Sequence, residues 1–185
     1  MAGPQFCGAG LKGGLLDGAP AHERVGADLG GNVMKATYRV LAYLIPVIVA
    51  LQASFIALGV FGLGKFVEDG NDFTKSILEN GGSTGDVGFM LHSFGANAAA
   101  LVALVLLIVS FFAKIEGGVR AALFVFLDVV LQWALAFVSF GVWGVGLLHG
   151  LNAFLLFGLG LMAAGVATKS IKGASAPSTA AASAV

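Results

Sequence analysis

Thiol chemistry is almost missing from this chain. Cys7 is the only cysteine among 185 residues, so an internal disulfide, a CxxC redox pair and a thiolate zinc site are all excluded. The thiol-dependent four-helix oxidoreductases go with them. Charge is scarce as well: Lys, Arg, Asp and Glu make up 11% of the residues, against about 25% in a typical soluble domain. Such a chain cannot solvate its own surface. Neither sign is in excess, since ten basic side chains balance ten acidic ones, and no basic footprint for nucleic acid is left. What fills the sequence is apolar. Hydrophobic residues reach 58% and mean hydropathy is +0.94, which fits a chain whose solvent is a lipid bilayer.

Met1 to Val33 is rich in Gly and Ala, carries Lys12, Asp17, Glu23, Arg24 and Asp28 without a sustained period, and reads as disordered. Met34-Lys35-Ala36-Thr37-Tyr38-Arg39 then leads straight into an apolar run, the short positive stretch that often precedes a first span. Met34 is therefore either an internal residue after a genuine tail, or the true start with residues 1–33 upstream of it.

Four apolar runs follow, at about 38–64, 89–113, 121–140 and 145–168, each long enough to meet the ~20 residues a crossing needs. The first is too long for a cleaved signal peptide, whose apolar core is about 7 to 15 residues. Pro46 within it predicts a kink, because the ring removes a backbone hydrogen bond. Short connections around 114–120 and 141–144 impose antiparallel neighbours. The expected fold is an all-α integral membrane antiparallel four-helix bundle over residues 34–172, followed by a disordered Ala/Ser tail at 173–185.

The one long connection, residues 65–88, is acidic: Glu68, Asp69, Asp72, Glu79 and Asp86 against Lys65 and Lys75. Asn71 or Asp72 is the expected cap of a short helix through Asn80, ended by Gly81-Gly82. Phe73, Ile77 and Leu78 would share one face of it, lying on the membrane or covering the bundle; the other reading is a mobile polar loop. Orientation follows from the cations. Lys12, Arg24, Lys35, Arg39, Lys114, Arg120, Lys169 and Lys172 gather on one side and only Lys65 and Lys75 on the other. The bias places both termini in the cytoplasm and the acidic loop outside the cell membrane.

Two histidines open apolar helices with similar phrases, Leu91-His92-Ser93-Phe94-Gly95-Ala96 and Leu148-His149-Gly150-Leu151-Asn152-Ala153. In the expected topology His92 lies about 5 Å and His149 about 7 Å below the outer face, at 1.5 Å per residue. Imidazoles at equal depth can serve as the two axial ligands of a b-type haem, an electron-carrying arrangement. Gly95, Ala96, Ala99 and Ala103 below His92, and Asn152, Ala153, Gly160, Ala163 and Ala164 below His149, leave room for a flat macrocycle. The same small residues also let membrane helices approach closely, and a histidine near the interface can simply hydrogen-bond to a neighbouring helix, a headgroup or water.

Asp128 is the one acid inside an apolar span, about 10 to 12 Å from the cytoplasmic end, with Gln132 one turn further on. An intramembrane carboxylate is a candidate for proton or cation work. As a neutral acid it could instead act as structural glue, bonded to Gln52 or Gln132 in a small polar cluster at the bundle centre. Trp143 and Tyr38 fall at span ends and fit an aromatic belt; Trp133 is mid-span and is expected to pack.

The stretch Tyr38-Arg39-Val40-Leu41-Ala42-Tyr43-Leu44, then Gly59-Val60-Phe61-Gly62-Leu63-Gly64 and the two Leu-His phrases, resembles a family of small actinobacterial four-span membrane proteins. The resemblance covers about residues 34–168 and implies the fold; it carries no activity. More distantly, the paired histidines are similar to those of four-helix b-type cytochromes and the half-domains of haem A synthase, which implies haem b at His92 and His149. Function is thus expected to be structural or partner-binding within the lipid bilayer, with a membrane-protein partner or a second copy. Haem-based electron transfer and transport through Asp128 are the alternatives. No nucleophile, acid and base stand together, so an enzyme is not expected.

Overall fold

The computed structural model describes residues 21–174, with side chains from 29 to 173. Every described element is helical: α1 (Ala21–Glu68), α2 (Lys75–Asn80), α3 (Asp86–Phe112), α4 (Gly118–Gly141), a 3-10 turn (Trp143–Val145) and α5 (Gly146–Ala174). The four long helices are long and apolar enough to cross a membrane. Residues 21–33, expected to lack regular structure, continue α1, because extending an existing helix costs less than nucleating one. The rest of the two terminal segments lies outside the described residues.

Helix ends follow local chemistry. Thr74, and neither Asn71 nor Asp72, caps α2: its hydroxyl accepts the Ile77 N–H at 3.3 Å. The Asn71 amide is engaged elsewhere, donating to Phe66 O at 3.0 Å. Phe73 and Leu78 remain exposed, and no residue of α2 is buried, so it does not cover the bundle. Between α3 and α4 the chain reverses through Lys114 (φ 50°) and Gly117 (φ 72°), the second a conformation that glycine adopts without strain.

α1 packs against α3 and α5, and α4 packs against the same two, so α1 stands opposite α4 and α3 opposite α5. The core is made chiefly of small residues, among them Ala42, Ala103, Ala122, Ala163, Ala164 and Ala167. Gly85 and Gly88 of the α2–α3 region lie directly on the Gly59 backbone, where no Cβ has room. α1 continues through Pro46, whose ring lies against Gly160 of α5. The large apolar residues point outward, with Phe140 90% and Trp143 91% exposed. Tyr38 does the opposite. Rather than joining a surface belt it is fully buried, and its hydroxyl donates to Gly118 O at 2.8 Å, tying the start of α4 to α1.

The two helix pairs repeat each other. Buried Ala42 and Ile45 of α1 have counterparts 80 positions on, Ala122 and Val125 of α4. Buried Ala99, Leu106 and Ser110 of α3 correspond, 57 positions on, to Leu156, Ala163 and Ala167 of α5. Gln52 and Gln132 share the first offset, and His92 and His149 share the second.

Candidate functional site

Each histidine is held by a glutamine of the preceding long helix. His92 Nδ1 lies 3.1 Å from the main-chain oxygen of Gln52, and the Gln52 side-chain amide donates back to His92 O at 2.7 Å. In the second pair His149 Nδ1 lies 3.1 Å from Gln132 O, and the Gln132 amide donates to His149 O at 3.0 Å. A carbonyl can only accept, so Nδ1 carries a proton on both rings, and in the neutral imidazole it is Nε2 that keeps the lone pair. This is the tautomer in which imidazole binds a metal through Nε2, with the second nitrogen's hydrogen bond setting the ring's orientation.

Although α3 and α5 stand on opposite sides of the bundle, the two rings meet, with centroids 6.3 Å apart and planes at 67°. The contact puts the two rings at one level of the bundle. His149 Nε2 also lies 3.4 Å from the Gln132 amide nitrogen, a long contact. No hydrogen bond reaches His92 Nε2 among the described residues.

Three helical positions after each histidine the repeat breaks. Asn152 donates to Gln132 Oε1 at 2.8 Å and reaches Asp128 O at 3.5 Å. The matching position in α3 is Gly95, where a Cβ would overlap Gln52 Oε1, and that buried oxygen has no partner. Asn152, named in the sequence only among the small residues below His149, is thus a hydrogen-bonding member of the site. Its signal was its place three residues after His149, on the same face.

The expected cluster of Asp128 with Gln52 and Gln132 does not form. Both glutamines turn to the histidines, because a side-chain amide can serve a main-chain oxygen one helix away while its own main chain serves the ring. Asp128 is 6% exposed and its Oδ2 has no partner. Trp133 packs, as expected, with its ring 5.9 Å from that of Phe137. Several small residues thought to make room for a macrocycle are used in close packing: Gly95 by Gln52, and Gly160 by Pro46 and Ile45.

The donor set decides which metals suit the pair. No three His, Cys, Asp or Glu side chains come together among the described residues, whereas a bare zinc ion takes three or four protein ligands. Two imidazoles suit a metal that brings its other ligands with it, as haem iron does. The pair offers the two nitrogens such a group takes, but the positions expected to make room for its ring are packed, Gly95 by Gln52 and Gly160 by Pro46 and Ile45. Compared with family models, curated proteins and solved structures, the chain has no match in any of the three.

Proposed function

We propose that this is a multi-pass cell-membrane protein, an antiparallel four-helix bundle with both termini cytoplasmic and a structural or partner-binding role; the second reading, which the meeting of the two histidine rings favours, is that His92 and His149 would hold a b-type haem for one-electron transfer. That second reading rests on the meeting of the two rings with each Nδ1 committed to a main-chain carbonyl.

The contact register supports the antiparallel arrangement. Gly62 lies on Gly85, Gly59 on Gly88 and Gln52 on His92, so positions fall along α1 as they rise along α3. Gln132 with His149 and Asp128 with Asn152 repeat the pattern for α4 and α5. Exposed aromatic and aliphatic side chains along all four long helices support insertion, since a water-soluble monomer rarely exposes more than a few hundred Å² of contiguous apolar surface. Lys35, Arg39, Lys114, Arg120, Lys169 and Lys172 support cytoplasmic termini by the positive-inside rule.

In the haem reading His92 and His149 would hold the iron. Gln52 and Gln132 orient the rings and keep their Nε2 lone pairs available. That group would supply reversible one-electron chemistry. The reading is therefore of a carrier rather than an enzyme, and electron transfer requires a donor and an acceptor as partners, membrane proteins or membrane-dissolved carriers.

The test is an absorption spectrum of protein purified in mild detergent from a haem-supplemented host, oxidised and then reduced with dithionite. A Soret band with sharp reduced α and β bands at near-stoichiometric haem, lost in His92→Ala and in His149→Ala, is the expected result. A colourless, folded protein would return the pair to a structural or partner-binding role.

A further inference from the structure

The two halves of this chain do more than repeat each other: they meet on their own counterparts. Tyr38 and Gly118 are equivalent positions, 80 apart, and they are the pair that the Tyr38 hydroxyl joins at 2.8 Å. His92 and His149 are equivalent too, 57 apart, and theirs are the rings that touch. A residue meets its own counterpart on a twofold axis, where an interface is isologous. Gln52, which holds His92, follows Tyr38 by fourteen residues, about 21 Å along α1 at 1.5 Å per residue. The two contacts therefore mark a pseudo-twofold axis along the bundle, with the α1–α3 hairpin on one side and the α4–α5 hairpin on the other.

Each hairpin is closed within itself in the same way, by Gln52 to His92 and by Gln132 to His149. Between the hairpins the fit is one-sided. At Gly160 of α5 an added Cβ would lie 2.7 Å from Pro46 Cδ and 3.0 Å from Ile45 Cβ of α1. The equivalent position in α3 is Ala103, which has that Cβ, so a second α1–α3 hairpin would overlap Pro46 where α5 seats on it. On the axis, a second Tyr38 in place of Gly118 would start its side chain 2.9 Å from Ile115 Cβ and 3.7 Å from Tyr38 Cε2. No phenol ring fits there. A second α4–α5 hairpin in place of α1–α3 would bring glycine to the Tyr38 position and lose the buried bond to Gly118 O.

We infer that the α1–α3 hairpin carries a recognition surface for one kind of partner, a two-helix hairpin with glycine opposite Pro46 and no side chain opposite Tyr38, and that the second half of this chain is that partner. Each wrong pairing meets an overlap or forfeits a buried bond, and specificity is the difference between the right partner and the wrong ones. Gly160 and Gly118 make the match, since close backbone approach is what holds helices together inside a membrane. The short connection from Ala113 to Gly117 raises the effective concentration of the halves without selecting them. Neither surface depends on what the histidines bind.

The experiment cuts the full chain in place. A protease sequence is inserted between Glu116 and Gly117, both exposed, and two preparations carrying different N-terminal tags are purified in mild detergent and cut. Capture on the tag should recover α4–α5 with α1–α3. With Gly160→Ala that recovery should fall several-fold or more; with Gly158→Ala, where a Cβ meets nothing within 4 Å, it should stay at the wild-type level. The two cut wild-type preparations are then mixed, taken apart in SDS and returned to mild detergent, with uncut chain carried through the same steps to set the yield. Capture on one tag should again bring α4–α5, and none of the α1–α3 half bearing the other tag. Separation of the cut wild-type halves, equal recovery in the two glycine variants, or capture of one α1–α3 half by the other overturns the inference. The wild-type captures decide even if Gly160→Ala does not fold.

Discussion

The side chain of Gln52 fills the space that the missing Cβ of Gly95 leaves open. That contact lets the Gln52 amide reach His92 O across the α1–α3 interface while the Gln52 main chain holds the ring. One glycine thus shapes the first of the two imidazole positions.

Gly95→Ala should displace Gln52, break its bond to His92 O, and destabilise the protein by about 1–3 kcal/mol, the range for a buried polar group left without its partner. Gly150 makes a clean control. It sits in α5, one residue after His149, and a Cβ there meets nothing within 4 Å. Gly150→Ala should be neutral or stabilising by up to about 1 kcal/mol through helix propensity. Thermal unfolding in detergent, followed by circular dichroism, compares the two; equal effects would mean that Gln52 does not depend on Gly95.

The two glutamines should differ in cost although they hold their histidines alike. Gln132→Leu removes the acceptor of buried Asn152 as well as the bond to His149 O. Gln52→Leu removes an oxygen that had no partner to lose. The Gln132 variant should therefore be the less stable by about 1–2 kcal/mol, the cost of one stranded buried donor. Denaturant unfolding of both variants under one condition measures the difference, and a reversed order would contradict the asymmetry.

Asp86 should give the outer end of α3 an acid-sensitive component. It precedes the apolar run that starts at Phe89, and the Ser83 hydroxyl, with the Gly82 and Ser83 N–H groups, holds its carboxyl below the usual carboxylate range. A depressed folded-state pKa contributes stability that is fully present above the unfolded value, about 3.9, and is lost as pH falls through the folded value. Wild type should exceed Asp86→Asn in stability at neutral pH, with the gap closing only below about pH 4. A gap that stays constant through acid would mean the carboxylate's charge contributes nothing.

Much of this molecule is legible one residue at a time. Four helices of membrane length follow from run length and sparse charge, and His92, His149, Gln52, Gln132 and Asp128 stand out as polar groups in apolar helices. Local polar details were harder. The α2 cap moved from Asn71 or Asp72 to Thr74, because each of these side chains can cap and only the backbone path selects one. Tyr38 looked like a surface aromatic until the α3–α4 turn brought Gly118 O to its hydroxyl.

By itself, then, the sequence determined the helices and the residues that could do chemistry among them, because helix formation and burial of apolar runs depend on near neighbours and on the solvent. Only the tertiary structure decided that Gln52 serves His92, that Gln132 serves His149 and Asn152, and that Asp128 bonds to neither glutamine's amide. Those pairings depend on how each helix is rotated and how far it slides along its neighbours. Both are fixed by close contacts such as Gly88 on Gly59 and Gly160 on Pro46, between residues far apart in the chain.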